Sequence, residues 1–126
     1  MANRVATILG VIFLLVGILG FVSPHLLGAH LSLAHNIIHL VSGAISLWLG
    51  MKGTPSAAKN FCVGFGAVYL LLGIAGFVLG SGAERMLVVI PGQLELGTMD
   101  HIIHVGLGVV YLAGGFMTVP VRATAT

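Results

Sequence analysis

Two pairs of histidines lie in strongly apolar parts of the chain. His35 and His39 stand near the start of one apolar run, and His101 and His104 stand near the start of another. An ionisable side chain inside a membrane segment costs several kcal/mol unless it is neutral, paired or bound to a ligand. Each pair is therefore a functional-site hypothesis, and the similarity of the two pairs strengthens it.

The spacing of glycines after two of these histidines suggests a haem site. Gly43 follows His39 by four residues, and Gly108 follows His104 by four, so each glycine lies one helical turn along the same face. A missing side chain there leaves a flat slot beside the imidazole, and two imidazoles on opposite sides of one plane ligate a haem. Our leading hypothesis is that these four residues bind haem b, or a related tetrapyrrole, for electron transfer or redox sensing.

Two alternatives use the same polar face. Imidazoles three or four residues apart on a helix can ligate one transition-metal ion together with a carboxylate; the candidate ligands are His35, His39, Asp100, His101 and His104. With no cofactor, the polar residues are internal contacts and the glycines are helix-contact surfaces of a structural or accessory subunit in a larger membrane complex or homo-oligomer. Asp100 also fits a carboxylate favoured by the dipole at the start of a helix.

Composition restricts the class of protein. Of 126 residues, 58% are hydrophobic and only 6% are charged, whereas soluble domains carry about 25% charged residues. The chain is therefore expected to be a membrane protein with a single transmembrane domain, residues 1–126. Five basic residues are too few for a nucleic-acid-binding surface. No hydrolase, phosphate-binding or paired-carboxylate motif indicates an enzyme.

Apolar runs bounded by glycine and proline predict four spanning helices. We place them at residues 5–22, from 31 or 33 to 51, 60–80, and from 98 to before 120. The first and third match with three glycines in register, and residues 36–43 match 101–108. These matches predict an all-α, integral membrane four-helix bundle made of two parallel helical-hairpin repeats, about 4–51 and about 59–119.

Basic residues predict how the bundle is oriented. Arg4, Lys52, Lys59 and Arg122 flank one side of the spans, and Arg85 flanks the other. The positive-inside rule then places both termini in the cytoplasm of a bacterial cell with the bundle in its inner membrane. The histidine pairs would lie near the external face, where the loop 81–97 is expected to form an interfacial segment. His25 and His30, in the first external loop, are expected to be solvated, with metal capture as the lesser alternative.

The chain resembles a family of small four-span bacterial membrane proteins catalogued as a domain of unknown function. The resemblance is carried by Asn36-x-x-His39 in the first half and by Asp100-His101-x-x-His104-x-x-x-Gly108 in the second, together with the glycine-rich first and third spans. In the family pattern an asparagine stands three residues before the histidine in both halves, whereas this chain has His101 there in the second. The resemblance implies a bacterial inner-membrane protein and no assigned activity.

Overall fold

Four long helices make up most of the chain. The computed structural model describes residues 1–119, in which the helices are α1 (Ala2–Val22), α2 (Leu33–Lys52), α3 (Pro55–Leu79) and α4 (Thr98–Phe116). Each is long and apolar enough to cross a membrane, so the protein is a multi-pass membrane protein in contact with a lipid bilayer. The predicted spans agree with these helices within a few residues. Arg122, used above to predict orientation, lies outside the described residues.

Local sequence explains where two of the helices begin. The Ser32 hydroxyl accepts a hydrogen bond from the backbone N–H of His35 (3.3 Å) and caps α2. The Thr54 hydroxyl caps α3 by accepting from the N–H of Ala57 (3.1 Å), and Pro55 occupies the first helical position. Both are preferred N-terminal arrangements, because the side-chain oxygen satisfies an N–H that has no partner within the helix.

The helices pack as two tight pairs, α1 with α2 and α3 with α4, which then associate into a bundle. Glycines permit the close approach: a Cβ on Gly10 of α1 would lie 2.6 Å from the backbone nitrogen of Leu47, and a Cβ on Gly66 of α3 would lie 2.8 Å from that of Leu112. Gly43 and Gly108 supply the opposite sides of these contacts. Small residues at helix contacts let membrane helices gain dispersion energy.

The core between the two helix pairs contains a layer of aromatic rings, formed by Phe13, Phe61, Phe65, Tyr69 and Tyr111. Tyr111 is completely buried, and its hydroxyl lies 2.8 Å from that of Ser46, which donates to the backbone oxygen of Ala6 at 2.7 Å. The outward surfaces of the helices carry exposed Leu, Ile, Val and Phe side chains, as a lipid-facing surface requires.

Short connections close one end of the bundle. We call it the histidine end because α2 and α4 begin there, and their first turns carry the histidines. A 3-10 turn (Leu26–Gly28) follows α1, and two antiparallel strands, β1 (Leu87–Ile90) and β2 (Leu94–Leu96), separate α3 from α4. The expected interfacial segment is therefore a small β-hairpin, and the fold is mostly, not wholly, helical. The β-branched residues of the hairpin favour strands, and Gly92, with φ of 72°, supplies the turn between them.

We predict that Gly43→Ala destabilises the bundle by about 1–3 kcal/mol, because the new methyl group meets the helix backbone of α1. Its Cβ would lie 2.9 Å from both the Gly10 carbonyl oxygen and the Leu14 nitrogen. Gly106→Ala is the matched control, since a Cβ there meets nothing within 4 Å. Thermal unfolding of both variants in detergent is followed by circular dichroism. The transition temperature should fall for Gly43→Ala alone, and equal transition temperatures for the two variants would contradict the glycine contact.

Candidate functional site

Three histidines from two helices meet inside the bundle, and we call His35, His39 and His104 the histidine cluster. Their ligating ring nitrogens, one from each residue, lie within 4.8 Å of one another. The three side chains are buried, with 3%, 6% and 2% of each residue exposed. His39 and His104 each follow the first residue of their helix by six positions, so both lie about 9 Å along the helix from the histidine end.

Hydrogen bonding leaves ring nitrogens of this cluster free to act as ligands. The Nδ1–H of His35 donates to the backbone oxygen of His30 (2.8 Å), so the neutral ring keeps its lone pair on Nε2. A metal-bound histidine usually has such a second hydrogen bond to a carbonyl or carboxylate. The Nδ1 atoms of His39 and His104 are buried and have no hydrogen-bond partner among residues 1–119.

A cavity of about 120 Å³ adjoins the cluster. All three histidines and Asp100 line it, and the rest of its wall is apolar, including Val16 of α1 and Leu107 of α4. On the side toward the middle of the bundle, the ring of Phe13 lies 5.4 Å from that of His39, and the ring of Tyr69 lies 5.3 Å from that of His104. The imidazoles therefore share a small space in an otherwise apolar environment.

Asp100 lines the same cavity, but its carboxylate has other partners. One oxygen accepts from the backbone N–H of Gly97 (2.9 Å), from the N–H of His30 (3.1 Å) and from Nδ1–H of the His30 ring (3.1 Å). The sequence suggested either a metal ligand or a carboxylate at a helix start. The structure places Asp100 in the first turn of α4, where it also holds the His30 segment across the histidine end.

His101, a candidate ligand from the sequence, lies outside the histidine cluster. Its Nε2–H donates to the backbone oxygen of Arg85 (2.7 Å), and its ring packs against Phe77 at 5.3 Å. The side chain therefore faces α3 and the loop after it. Of the five candidate metal ligands, the structure brings together the three of the cluster, with Asp100 beside them and His101 elsewhere.

Gly43 and Gly108 do not line the cavity. Gly43 packs against the backbone of α1 as described above, and a Cβ on Gly108 would lie 2.5 Å from the nitrogen of Leu70 in α3. The structure thus places these glycines at helix contacts, and neighbouring helix backbone fills the slots that the sequence analysis expected beside the imidazoles.

His30 is a residue whose role the sequence analysis missed. It was expected to be solvated, yet its side chain is only 30% exposed and connects Asp100 to the histidine end. Its Nε2 faces Glu84 at 3.6 Å, and the ring of His25 lies 6.0 Å away. The sequence feature that could have predicted this role of His30 is Asp100. A carboxylate in an apolar helix needs N–H donors, and the nearest loops offer few side chains that can supply them.

We predict that Asp100→Asn destabilises the protein by about 1–3 kcal/mol, because an amide replaces an acceptor that serves three buried or half-buried N–H groups. Glu84→Gln is the control: that carboxylate is 69% exposed, so its loss should change stability by less than about 0.5 kcal/mol. Hydrogen exchange of the Gly97 and His30 amides should rise in Asp100→Asn only. Unchanged exchange there would contradict the proposed anchoring.

Comparisons with known proteins identify a family. A search of curated proteins and a search of solved structures each gave no significant match. Residues 3–117 match the family described as "Domain of unknown function (DUF4383)", which confirms the resemblance to a family of unknown function. Because the match extends over most of the chain, this protein belongs to the DUF4383 family.

Proposed function

We propose that this protein binds one transition-metal ion within the membrane, with the histidine cluster as its ligands. The observation that carries the proposal is the convergence of three buried imidazoles from two helices, with ring nitrogens within 4.8 Å of one another. In a tetrahedral zinc site two ligating nitrogens lie about 3.3 Å apart, since each bond is about 2 Å. The nitrogens of the cluster would approach one another by up to about 1.5 Å around an ion, a movement within the range of side-chain torsions.

The chemistry of the ligands limits the choice of metal. Neutral imidazoles suit zinc, copper, iron and nickel, whereas calcium and magnesium prefer oxygen ligands. Three protein ligands leave a fourth coordination position open, and the cavity of about 120 Å³ adjoins that position. Asp100, which lines the same cavity, supplies a negative charge that offsets part of the cost of burying a cation.

Haem b, the leading hypothesis from the sequence, is less well supported than a bare ion. Pockets for drug-sized ligands occupy roughly 300–1,000 Å³, but the cavity here measures about 120 Å³. Helix backbone also occupies the positions beside Gly43 and Gly108 where a macrocycle would need space. Haem is therefore the competing hypothesis, and a visible absorption spectrum distinguishes it from a bare metal ion.

We further propose that the two helix pairs arose by duplication. Equivalent glycines make equivalent contacts in both pairs: Gly10 approaches Leu47 as Gly66 approaches Leu112. In the same alignment His39 corresponds to His104, and His35 corresponds to Asp100. The site then lies on the pseudo-symmetry axis that relates the two repeats. Of the aligned residues His39 and His104, and of the aligned residues His35 and Asp100, each repeat contributes one.

The proposal also includes an orientation in a bacterial inner membrane. Arg4, Lys52 and Lys59 lie at the end of the bundle opposite the histidine end, and Arg85 lies at the histidine end. By the positive-inside rule the opposite end, including the N-terminus, faces the cytoplasm, and so does the C-terminus after α4. The histidine cluster is then close to the external surface.

Metal analysis tests the function. Protein purified in detergent without a polyhistidine tag should contain about one equivalent of zinc, copper, iron or nickel per chain, because three imidazoles form one site. His39→Ala and His104→Ala should each lower the metal content at least tenfold, and His101→Ala, a buried histidine outside the cluster, should retain it. Elemental analysis measures the content, and circular dichroism checks folding.

Two results would contradict metal binding. A Soret band that disappears in His39→Ala would support haem. A colourless, metal-free protein in which His39→Gln folds normally and co-purifies with another membrane protein would support an accessory subunit.

Cysteine labelling tests the orientation. In a Cys62→Ala background, Gln93→Cys at the histidine end should react with a membrane-impermeant maleimide on intact cells. Ser56→Cys, in the first turn of α3 at the other end, should react only after the membrane is opened. The reverse pattern would invert the topology.

A further inference from the structure

We infer that metal ions reach the histidine cluster from the histidine end through an outer site, which is a cavity lined in part by His25, His30 and Glu95. The inference rests on the proposed metal binding and adds where the ion is first captured. A second cavity, of about 240 Å³, lies at the surface of the histidine end, and these three side chains line it. Two imidazoles and a carboxylate are ligands for a hydrated divalent transition-metal ion.

The hydrogen bonds of His30 prepare it as a ligand. Its Nδ1–H donates to the buried carboxylate of Asp100 (3.1 Å), which leaves the lone pair of the neutral ring on Nε2. A carboxylate on the second ring nitrogen is the arrangement that orients metal-binding histidines and raises their basicity. The Nε2 atom lies 3.6 Å from the Glu84 carboxylate, so a second acid stands near the same nitrogen.

One buried side chain, that of Leu31, is common to the walls of the outer and the inner cavity. Leu31 lines both cavities and is only 3% exposed. Residue 30 bridges the same boundary, because its ring bonds to Asp100 of the inner cavity and its backbone oxygen accepts from His35 of the cluster. The inferred path of an ion from the outer site to the cluster therefore runs past Leu31.

The two sites differ in how they attract a cation. The inner site attracts a distant cation only weakly, because its ligands are imidazoles and because Asp100 is buried and already accepts three hydrogen bonds. The ion must also lose water before it can enter. The Glu84 side chain is 69% exposed and Glu95 is half-buried, so both carboxylates are accessible enough to raise the local concentration of cations. The imidazoles of the outer site can replace some of the bound water. The outer residues should therefore govern the rate of loading, whereas the cluster governs affinity.

Loading kinetics test the inference. Metal-free full-length protein in detergent is mixed with Co²⁺ in a stopped-flow instrument, and the ligand-field absorption reports nitrogen coordination; equilibrium dialysis gives the affinity. Glu95→Gln should slow loading several-fold at low salt with unchanged affinity. The difference from the unmodified protein should shrink as ionic strength rises, because salt screens the surface carboxylate.

Removal of the Leu31 side chain should have the opposite effect. Leu31→Ala should accelerate both loading and release of Co²⁺ several-fold. Leu26→Ala is the matched control, since Leu26 lines the inner cavity and not the outer one, and it should load at the unmodified rate. Because Leu31 is buried, Glu95→Gln provides the test that does not depend on the stability of the leucine variant.

Each outcome separates this inference from the proposed function. Normal Co²⁺ binding at equilibrium, with unmodified loading rates in Glu95→Gln and Leu31→Ala, would overturn the outer site and leave the cluster as a metal site. Equal acceleration by Leu26→Ala and Leu31→Ala would also overturn it, because the ion would then enter through another wall. No Co²⁺ binding at equilibrium would overturn both.

Discussion

Polar atoms buried in a lipid-facing bundle must find their partners inside the protein, and this constraint governs the whole structure. Ser46 and Tyr111 satisfy it in the middle of the core through each other and a backbone oxygen. Lys59 satisfies it near the opposite end by donating to the backbone oxygens of Gly115 and Thr118. At the histidine cluster the constraint is not met by protein atoms alone, since two ring nitrogens are unpartnered among the described residues.

Two other buried atoms show that a missing partner does not by itself make a site. Asn36 Oδ1 and His101 Nδ1 are also unpartnered within residues 1–119. Residues 36 and 101 occupy matching positions when the sequence 36–43 is aligned with 101–108. Each side chain lies against a glycine of the neighbouring helix, Gly20 or Gly76. Neither belongs to a group of converging ligands. The histidine cluster differs because three imidazoles share one small cavity.

The histidine end is built by contacts between residues far apart in the chain. His30 and Asp100 are separated by 70 positions, and Ser32 donates to the backbone oxygen of Gln93, which is 61 positions away. These bonds join the first helix pair to the loop and helix of the second. The cluster consequently exists only when both helix pairs associate, because α2 supplies two of its imidazoles and α4 supplies the third.

Hydropathy and the glycines and prolines that bound the apolar runs were enough to predict the four spans, because each depends on nearby residues and on contact with lipid. The helical period likewise placed His39 and His104 on inward faces at equal distances from their helix starts. Tertiary structure decided which polar residues converge. His101 follows Asp100 directly, yet one turns toward Arg85 and the other toward His30, and helix rotation against its neighbours determines that difference. Local sequence left open whether Gly43 and Gly108 flank a cofactor or serve helix contacts, and it could not reveal that His30 bonds to Asp100. Both depend on how closely separate segments approach.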